Sequence, residues 1–548
     1  MQNKSPPKSN AFLHYFSLIF AGALFSLGFA PLGLWPLTLC SLAFFYFKLR
    51  SFSKEIISSS SQNVPPSLRH VFLSGFSYGL GLFGMGVSWV YVSMHDYGYM
   101  PVWLAVPATF LFVAFISTQY GFFALFYYQL KQNRFGIMTF PALWVIFEWC
   151  RTWFLKGLPW LFSGYAFIDT PLSVFAPILG VWGLSFICVL IITCCFELFI
   201  FSKKNIQPNI NRWFSLLLIL ILIISYSFLQ QQEWTQPTNE KIKVSLIQGN
   251  IPQEKKWLPE EKEPTKKLYR DLTLAQWHDP AWHADIVFLP EGALPFSKRK
   301  EAAYLAEIEQ QAKENKATWI TGIPTILKKE LTQQELIGED DYILYNSLIA
   351  FGQVNSEYHK QKLVAFGEYI PFDKLIRGLL PFFDLPFSNF SEGKSMQTPI
   401  IHYQKGHPYS FAPFICYEIV YPQLVWHAAK DADFLLTNSN DAWFGRSFAA
   451  AQHFEMARMR ALEHGKMLIR STNSGITGFI DHKGKVLSTL PLFEQSVLRG
   501  EISPVTGKTP YSVTGNLPIL LISGAILILS LLMNIYNRTK KPVKIHAS

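Results

Sequence analysis

Eight apolar runs constrain this chain more than any other feature of its sequence. A bilayer core of about 30 Å needs roughly 20 apolar residues in one helix. Seven runs precede residue 231 and one lies near the end, at 12–30, 34–50, 70–93, 101–130, 137–155, 172–201, 213–230 and 517–536. The sequence therefore predicts a polytopic α-helical membrane protein of about eight spans.

The region between the last two runs has a different composition. Charged residues make up 16% of the whole chain, against about 25% in an average soluble protein. Residues 1–230 and 516–548 together hold 17 Lys and Arg but 5 Asp and Glu, whereas residues 231–515 hold 31 and 33. We therefore expect a membrane domain of seven spans at 1–230, an inserted soluble domain at 231–515, and a last span with its tail at 516–548.

The net charge of +10 indicates topology rather than nucleic-acid binding, because Lys and Arg concentrate in short cytoplasmic loops of membrane proteins. If the N-terminus is cytoplasmic, the short outer loops carry Arg151 and Lys156. The inner side then carries Lys4, Lys8, Lys48, Arg50, Lys54, Arg69, Lys131, Arg134, Lys203, Lys204, Arg212, Arg538, Lys540, Lys541 and Lys544. We predict that both termini are cytoplasmic, that residues 231–515 lie outside the cytoplasm, and that the protein has no nucleic-acid partner.

A few polar or small residues stand out in the membrane half. Glu148 and Arg151 lie near the outer end of the fifth run. Ionisable groups inside a membrane are functional candidates, and the alternative is a structural ion pair near the interface. A series of glycines predicts close helix packing: Gly75, Gly79, Gly81, Gly84 and Gly86.

Short strands alternate with helices between residues 231 and 515. KVSLIQGNI at 243–251, ADIVFLPEG at 284–292 and ATWITGIPTI at 317–326 are typical of buried strands, and AAYLAEIEQQAKEN at 302–315 is typical of an amphipathic helix. Such alternation predicts a layered α/β domain, and a region of this length can bury a full core by itself.

Cys416 is the most specific candidate for chemistry, because the other five cysteines lie in the membrane half. In an oxidising compartment this thiol has no disulfide partner within its domain. It follows the strand SFAPFI and precedes a predicted helix, whose N-terminal N–H groups stabilise a thiolate. The alternative is a buried, inert cysteine.

A nucleophilic cysteine needs a base and a group that stabilises the oxyanion. Glu291 ends an apolar strand, so we expect desolvation to raise its pKa towards that of a useful base. Lys360 lies in a strand-like segment, and a nearby ammonium would lower the pKa of the thiol. The alternative is that both are solvated surface groups. His453 and His464 lie on a predicted helix and are interpreted as structural or surface residues.

Three segments carry a family resemblance: LPEGALPF around Glu291, YHKQKLVAFGEYIPF around Lys360, and FICYEIVYPQ around Cys416. They resemble the nitrilase, or carbon-nitrogen hydrolase, superfamily. With its spans and its outer domain, the whole chain resembles the apolipoprotein N-acyltransferase family within it. The resemblance implies an αββα sandwich that faces the periplasm of a bacterial inner membrane.

The same resemblance implies roles for individual residues. Cys416 would be the nucleophile, Glu291 the general base and Lys360 the group that stabilises the transition state. Supporting positions in the active site are implied at Glu368, Tyr417 and Glu418, and a substrate-loop tryptophan is implied at Trp257.

The implied reaction is a two-step acyl transfer through a thioester on Cys416. A phospholipid would be the acyl donor, and the N-terminal amine of a diacylglyceryl-cysteine apolipoprotein would be the acceptor. We expect no cofactor and no metal site, since HExxH and CxxC motifs are absent from the sequence, and we expect a monomer. Two alternatives stay open: a membrane-tethered amidase that uses water as the acceptor, and a transporter or sensor with an outer binding domain.

Two apolar segments of the outer domain point to lipid. The stretch FDKLIRGLLPFFDLPFSNF at 372–390 includes Phe382 and Phe383 and holds more apolar residues than a soluble surface usually exposes. We interpret it as an arm that dips into the outer leaflet, and the alternative is an ordinary core segment. Trp443 and Phe444 are candidates for a second apolar loop that binds substrate.

Overall fold

The computed structural model describes residues 8–52, 66–130, 136–199, 210–328, 342–370 and 389–539. The chain forms two compact units. The first unit comprises residues 1–90, 103–232 and 514–548, and the second comprises residues 91–102 and 233–513.

Each of the eight apolar runs contains a helix. Seven of these helices precede residue 231 and the last one closes the chain: α1 (Lys8–Ser26), α2 (Trp35–Ser51), α3 (Leu68–Gly86), α4 (Val102–Leu130), α5 (Gly136–Cys150), α6 (Ala176–Phe199), α7 (Ile210–Leu229) and α13 (Leu517–Thr539). These helices form because an apolar segment in a bilayer has to satisfy its backbone N–H and C=O groups within itself.

Length and hydropathy distinguish the helices that could cross a membrane on their own from the others. Among the described residues, four helical segments suffice to cross a membrane on their own: Val102–Leu130, Pro171–Phe199, Asn211–Leu229 and Leu517–Asn537. A bent pair, Leu68–Gly86 with Val90–Tyr97, adds a fifth if it is counted as one span, and Ala11–Ser26 and Gly136–Cys150 are apolar but shorter. The structure therefore has a helical apolar region with about four candidate spans, and the count of eight stays a prediction.

The glycines of α3 allow close packing within the first unit. A Cβ atom at Gly75 would overlap the Tyr120 carbonyl oxygen of α4, and one at Gly81 would overlap the Ile19 carbonyl oxygen of α1. At Gly79 the nearest atom, Ser117 Cα, would be at 3.0 Å. The prediction of close helix packing is confirmed at these three positions.

Glu148 and Arg151 are both buried in the first unit. Glu148 Oε1 accepts hydrogen bonds from the backbone N–H of Ser163 at 2.7 Å and from its hydroxyl at 2.9 Å. The Arg151 guanidinium lies over the rings of Phe83 and Phe162, 5.4 and 5.1 Å from their centroids. These contacts hold the segment after α5 against its neighbours, which is a structural role.

The second unit is built from fourteen strands among the described residues, and its helices lie between them. The strands are β1 (Thr235–Pro237), β2 (Ile242–Gln248), β3 (Ile286–Phe288), β4 (Thr318–Lys328), β5 (Tyr342–Phe351), β6 (Ser356–His359), β7 (Ile400–Gln404), β8 (His407–Ile415), β9 (Phe434–Ser439), β10 (Leu468–Thr472), β11 (Gly478–Ile480), β12 (Val486–Thr489), β13 (Ser496–Ile502) and β14 (Val505–Gly507). The helices are α8 (Lys262–His278), α9 (Ala302–Glu314), α10 (Pro422–Ala429), α11 (Ala449–His464) and α12 (Pro510–Thr514).

Twelve of these strands form two six-stranded sheets. The first has the order β13-β2-β3-β4-β5-β6 and the second has the order β12-β11-β10-β9-β8-β7. In the first sheet β2, β3 and β4 are parallel, and in the second sheet β8, β9 and β10 are parallel. The strands β1 and β14 pair separately.

The two sheets pack face to face through one apolar core that contains Val244 and Phe288 from the first and Phe411 and Leu436 from the second. A second core lies between the outer face of the first sheet and helices α8 and α9. Helices α10 and α11 contact strands of the second sheet. The parallel strands are therefore buried on both faces, which explains their near-continuous apolar sequences.

The candidate residues lie where parallel strands end. Glu291 follows β3, Cys416 follows β8 directly, and Ser439 is the last residue of β9. Ligands and reactive groups in α/β folds collect at the carboxyl ends of strands, where loops diverge. The candidate site therefore lies at the carboxyl ends of the parallel strands of the second unit.

Candidate active site

The structure brings Glu291 and Lys360 together in a buried cluster. Lys360 Nζ lies 3.2 Å from Glu291 Oε1 and 2.8 Å from Glu368 Oε1. The Asn346 amide donates to the same two carboxylates, at 2.8 Å each. Lys360 is 1% exposed, so its charge is balanced by these carboxylates and not by water.

The pKa of Glu291 is shifted in the direction opposite to the one that its strand-end position predicts. Burial acts to raise its pKa, but Lys360, the Asn346 amide and a second lysine, Lys256, hold that pKa below its ordinary value. Its other oxygen, Oε2, accepts a hydrogen bond from the Asn440 N–H at 2.8 Å. The prediction of a raised pKa was therefore wrong, because it counted desolvation and missed the surrounding donors and cations. Glu291 is ionised in the resting protein and ready to accept a proton.

Cys416 begins a sharp turn immediately after β8. Its φ of +53° lies in the left-handed region, which a non-glycine residue adopts at a cost of roughly 1–3 kcal/mol. Such strain is common at functional positions. Burial raises the pKa of the Cys416 thiol, and the negative charge of Glu291 adds to this, while Lys360 acts in the opposite direction. The resting thiol is therefore protonated.

The segment after Cys416 has the predicted order, a turn after the strand and then a helix. A 3₁₀ helix covers Cys416–Val420, and α10 begins separately at Pro422. The N–H of Ile415 donates to Glu418 Oε2 at 2.7 Å, so a carboxylate already occupies the N-terminal end of this turn.

Glu418 links the Cys416 turn to the segment that carries Lys360. Its carboxylate accepts the N–H groups of Gln361 and Lys362 at 2.5 and 3.2 Å, and the hydroxyl of Tyr358 at 3.0 Å. Burial raises the pKa of Glu418 to about 7, and these donors oppose the increase. Tyr417 packs edge-on against Tyr421 with 5.2 Å between ring centroids. Both residues support the geometry of the turn.

The predicted substrate-binding residues are partly exposed or outside the described residues. Trp257 lies in the turn before the 3₁₀ helix Pro259–Glu261, and Trp443 and Phe444 lie in the 3₁₀ helix Asp441–Phe444 that follows β9. All three are half-buried. Phe382 and Phe383, with most of the predicted arm, lie outside the described residues.

Sequence reasoning missed several groups around the site. Lys256 is 2% exposed and donates to the Glu291 carbonyl oxygen at 3.0 Å. Asn346 bridges the two carboxylates from β5. Ser439 lies 3.3 Å from Cys416 Sγ. No spacing in the sequence marks these residues, because they reach the site from strands and loops that only the packing of the sheets brings together.

His453 and His464 are both buried on α11, which favours the structural alternative over the surface one. His453 Nε2 lies 3.0 Å from the carbonyl oxygen of Cys416, which makes it a structural support of the reactive turn. Within the described ranges, no group of three His, Cys, Asp or Glu residues is arranged to hold a metal ion.

Two family models match the chain. The apolipoprotein N-acyltransferase N-terminal domain matches residues 21–194, and carbon-nitrogen hydrolase matches residues 243–511. An apolipoprotein N-acyltransferase from Pseudomonas paraeruginosa is 38% identical over 527 residues, which are 93% of this chain and 94% of that protein. This chain belongs to the apolipoprotein N-acyltransferase family. A Vibrio vulnificus member of the family is 38% identical over 91% of this chain and 93% of its own.

The family match covers both the helical half and the domain with the candidate site. Among solved structures, the NitN amidase from Neterenkonia sp. AN1 aligns with 51% of this chain and 98% of its own, at 16% identity and a TM-score of 0.34. A similarity this low has no bearing on the fold. Membership of the apolipoprotein N-acyltransferase family rests on the full-length relatives and the two family models.

Proposed function

We propose that this protein transfers an acyl chain from a phospholipid to the N-terminal amine of a diacylglyceryl-cysteine apolipoprotein, through a thioester on Cys416. The observation that carries the proposal is the buried Glu291–Lys360 pair, 3.2 Å apart, beside a cysteine at a strained strand end in an apolipoprotein N-acyltransferase family member. The names of the relatives support the acceptor, and the apolar helices support membrane-embedded substrates.

In the first step Glu291 takes the proton of the Cys416 thiol and the thiolate attacks an ester carbonyl of the phospholipid. The Lys360 ammonium stabilises the oxyanion that develops. When the ester C–O bond breaks, Glu291 returns the proton to the leaving oxygen, so a lysophospholipid departs and a thioester remains. Proton transfer of this kind contributes roughly 10²–10⁴-fold to the rate.

In the second step the α-amine of the apolipoprotein attacks the thioester carbonyl. Glu291 takes a proton from the amine and returns it to Cys416 Sγ as the C–S bond breaks. The products are an N-acylated lipoprotein and the free thiol, so no oxidant, metal or cofactor is consumed. The ionised state of Glu291, which its surroundings favour, suits its role as the proton acceptor in both steps.

The charge pattern supports a bacterial inner-membrane location with eight spans, both termini cytoplasmic, and residues 231–515 in the periplasm. This arrangement would expose the site to lipids and lipoproteins of the outer leaflet. We propose that Trp257, Trp443 and Phe444, with Phe382 and Phe383 of the apolar arm, contact the acyl chains. We also propose that a monomer suffices, since both substrates reach one site.

The test is the covalent intermediate. Full-length protein incubated with a phospholipid labelled in its acyl chains should gain one acyl group on Cys416, measured by mass spectrometry and released by neutral hydroxylamine. Cys416→Ala should gain none, because it lacks the nucleophile. Cys40→Ala removes an exposed cysteine of the helical half and should behave as the unmodified chain does. An acyl adduct on Cys416→Ala would contradict the assignment.

The acceptor is tested in the same reaction. Addition of a diacylglyceryl lipopeptide should discharge the thioester and yield the N-acylated peptide. If the acyl group is released only as a free fatty acid, at the same rate with and without the peptide, the amidase alternative replaces the transferase.

A further inference from the structure

Ser439 lies between the candidate nucleophile and a buried carboxylate. The parallel strands β8 and β9 pair Ile415 with Asn438, so the next residues, Cys416 and Ser439, are adjacent. Ser439 Oγ is 3.3 Å from Cys416 Sγ and 2.5 Å from Asp441 Oδ1. A serine hydroxyl has a single proton, so it donates to one of these neighbours at a time.

The charge on Asp441 decides which neighbour receives that proton. Arg470 Nη2 donates to Asp441 Oδ2 at 2.7 Å, and both side chains are fully buried. Burial acts to raise the pKa of Asp441, but Arg470 and His453 hold that pKa well below its ordinary value. An ionised carboxylate only accepts hydrogen bonds. In the resting protein we therefore expect Ser439 to donate to Asp441, with Cys416 Sγ 3.3 Å from the same hydroxyl oxygen.

We propose that Ser439 is a catalytic residue whose hydroxyl changes its hydrogen-bond partner when Cys416 loses its proton. It donates to Asp441 while Cys416 is a thiol or a thioester, and it rotates to donate to Sγ while Cys416 is a thiolate. The change is a rotation about the Cβ–Oγ bond, in which no covalent bond forms or breaks. The thiol proton itself passes to Glu291. The order of these states during catalysis rests on the proposed function, whereas the hydrogen bond from Ser439 to a Cys416 thiolate does not.

The contact matters because burial and two nearby carboxylates disfavour the thiolate, and Lys360 opposes them only in part. The charged and titratable groups that face Cys416 are two carboxylates, two lysines and a tyrosine: Glu291, Asp441, Lys360, Lys256 and Tyr417. Both carboxylates disfavour the thiolate. When Ser439 turns to the thiolate it gives up its bond to Asp441, but that carboxylate keeps the bond from Arg470. A hydrogen bond to a charged group is about twice as strong as a neutral one, so we expect the exchange to correspond to roughly a 10- to 100-fold larger thiolate population.

The experiment measures the thiolate directly. The rate of iodoacetamide alkylation of the peptide that contains Cys416 is followed against pH in the full-length protein, because the thiolate is the species that reacts. Ser439→Ala should slow alkylation at neutral pH by about 10- to 100-fold and move the rise in rate to higher pH. Ser439→Thr keeps the hydroxyl and should recover most of the rate.

Two further variants separate the contact from general damage to the fold. Ser410→Ala removes a similar bond, from Ser410 Oγ to Asp433 Oδ2 at 2.8 Å, near the other end of β8, and should leave the alkylation profile unchanged. Asp441→Asn removes the competing charge and should move the profile to lower pH, opposite to Ser439→Ala. An unchanged profile for Ser439→Ala, or shifts in the same direction for the two site variants, would overturn the proposal. Alkylation needs no acyl donor, so failure of thioester formation would refute the proposed function separately.

Discussion

Two lysines lie beside Glu291, and their proton affinities differ. Burial acts to lower the pKa of Lys360, but Glu291 and Glu368 raise it above its ordinary value. Burial lowers the pKa of Lys256 to about 8, against the opposing effect of Glu291 and Cys416. Lys360 is therefore charged throughout the physiological range, whereas Lys256 loses its charge just above it. Together the two cations balance Glu291 and Glu368 only while Lys256 is protonated.

We expect Lys256→Met to slow thioester formation at pH 7 by about ten-fold, because one lost charge near the thiolate is worth about one pKa unit. Lys256→Arg keeps the charge at high pH. Since Lys256 is protonated below about pH 8 and neutral above it, the rate of the arginine variant should hold to higher pH than that of the unmodified protein. The measurement is single-turnover acylation of Cys416 from pH 6 to 10.

Lys255 provides the control for that series, because it is the exposed neighbour of Lys256. Lys255→Met should leave both the rate and its pH dependence unchanged. If Lys256→Met acylates as fast as the unmodified protein, or if the lysine and arginine proteins lose activity at the same pH, Lys256 does not act through its charge.

At the level of single residues, the sequence identifies Glu291, Lys360 and Cys416 as candidates, because each lies in a motif of the family, and Glu291 and Cys416 also end apolar strands. It does not identify Lys256 or Ser439. Ser439 reaches Cys416 through the register of β8 and β9, and Lys256 reaches Glu291 through the path of a loop. Such contacts depend on the packed fold, and no local pattern encodes them.

At the level of elements, the loop after β9 contacts two other parts of the second unit, Glu291 and the segment at residues 91–102. The Asn440 N–H donates to Glu291 at 2.8 Å. The Trp443 carbonyl accepts a hydrogen bond from the Ser93 hydroxyl at 2.8 Å, and the loop ends at Gly445 with φ +53° and ψ −140°. The path of this loop thus sets the position of a donor to Glu291, and the segment at residues 91–102 holds it.

Gly445→Ala should disturb this loop. An L side chain at that φ costs roughly 1–3 kcal/mol, and its Cβ would lie 3.0 Å from Val92 Cγ1. The strain is relieved by a shift of the loop, which carries Asn440 and Asp441 away from their partners. We expect thioester formation to slow by about ten-fold, which corresponds to roughly 1.4 kcal/mol of lost positioning.

Gly406→Ala is the matched control. Gly406 has φ +81° and no atom within 4 Å of the added Cβ, so alanine there carries a backbone cost without a contact near the site. It should lower the melting temperature but leave the acylation rate unchanged. Equal slowing by the two substitutions would mean that the rate follows general stability and not the loop after β9.

The elements themselves divide into those that the sequence predicts well and those that it does not. The helix expected at 302–315 is α9, Ala302–Glu314, because its apolar residues recur with helical period. The strand expected at 284–292 ends early, at Phe288, since Pro290 lacks the N–H that a central strand donates. The turn and helix expected after the strand that precedes Cys416 are the 3₁₀ helix Cys416–Val420 and α10, which begins at Pro422.

At the level of the whole molecule, the net positive charge lies in the membrane half and not in residues 231–515. The membrane half has 17 Lys and Arg against 5 Asp and Glu, and residues 231–515 have 31 against 33. A catalytic domain that is near neutral has no electrostatic preference for one side of the membrane. We therefore expect the basic loops of the membrane half to set the orientation, because the distribution of Lys and Arg in short loops determines topology.

This orientation predicts which positions a membrane-impermeant maleimide reaches. In spheroplasts Glu314→Cys, at an exposed position of α9, should be labelled without permeabilisation. Lys54→Cys and Lys541→Cys, in predicted inner segments, should be labelled only after detergent is added. The unmodified chain gives the background from its six native cysteines. Labelling of Lys541→Cys in intact spheroplasts would place the C-terminus outside and require an odd number of spans, whereas blocked labelling of Glu314→Cys would remove the catalytic domain from the periplasm and from the lipoproteins there.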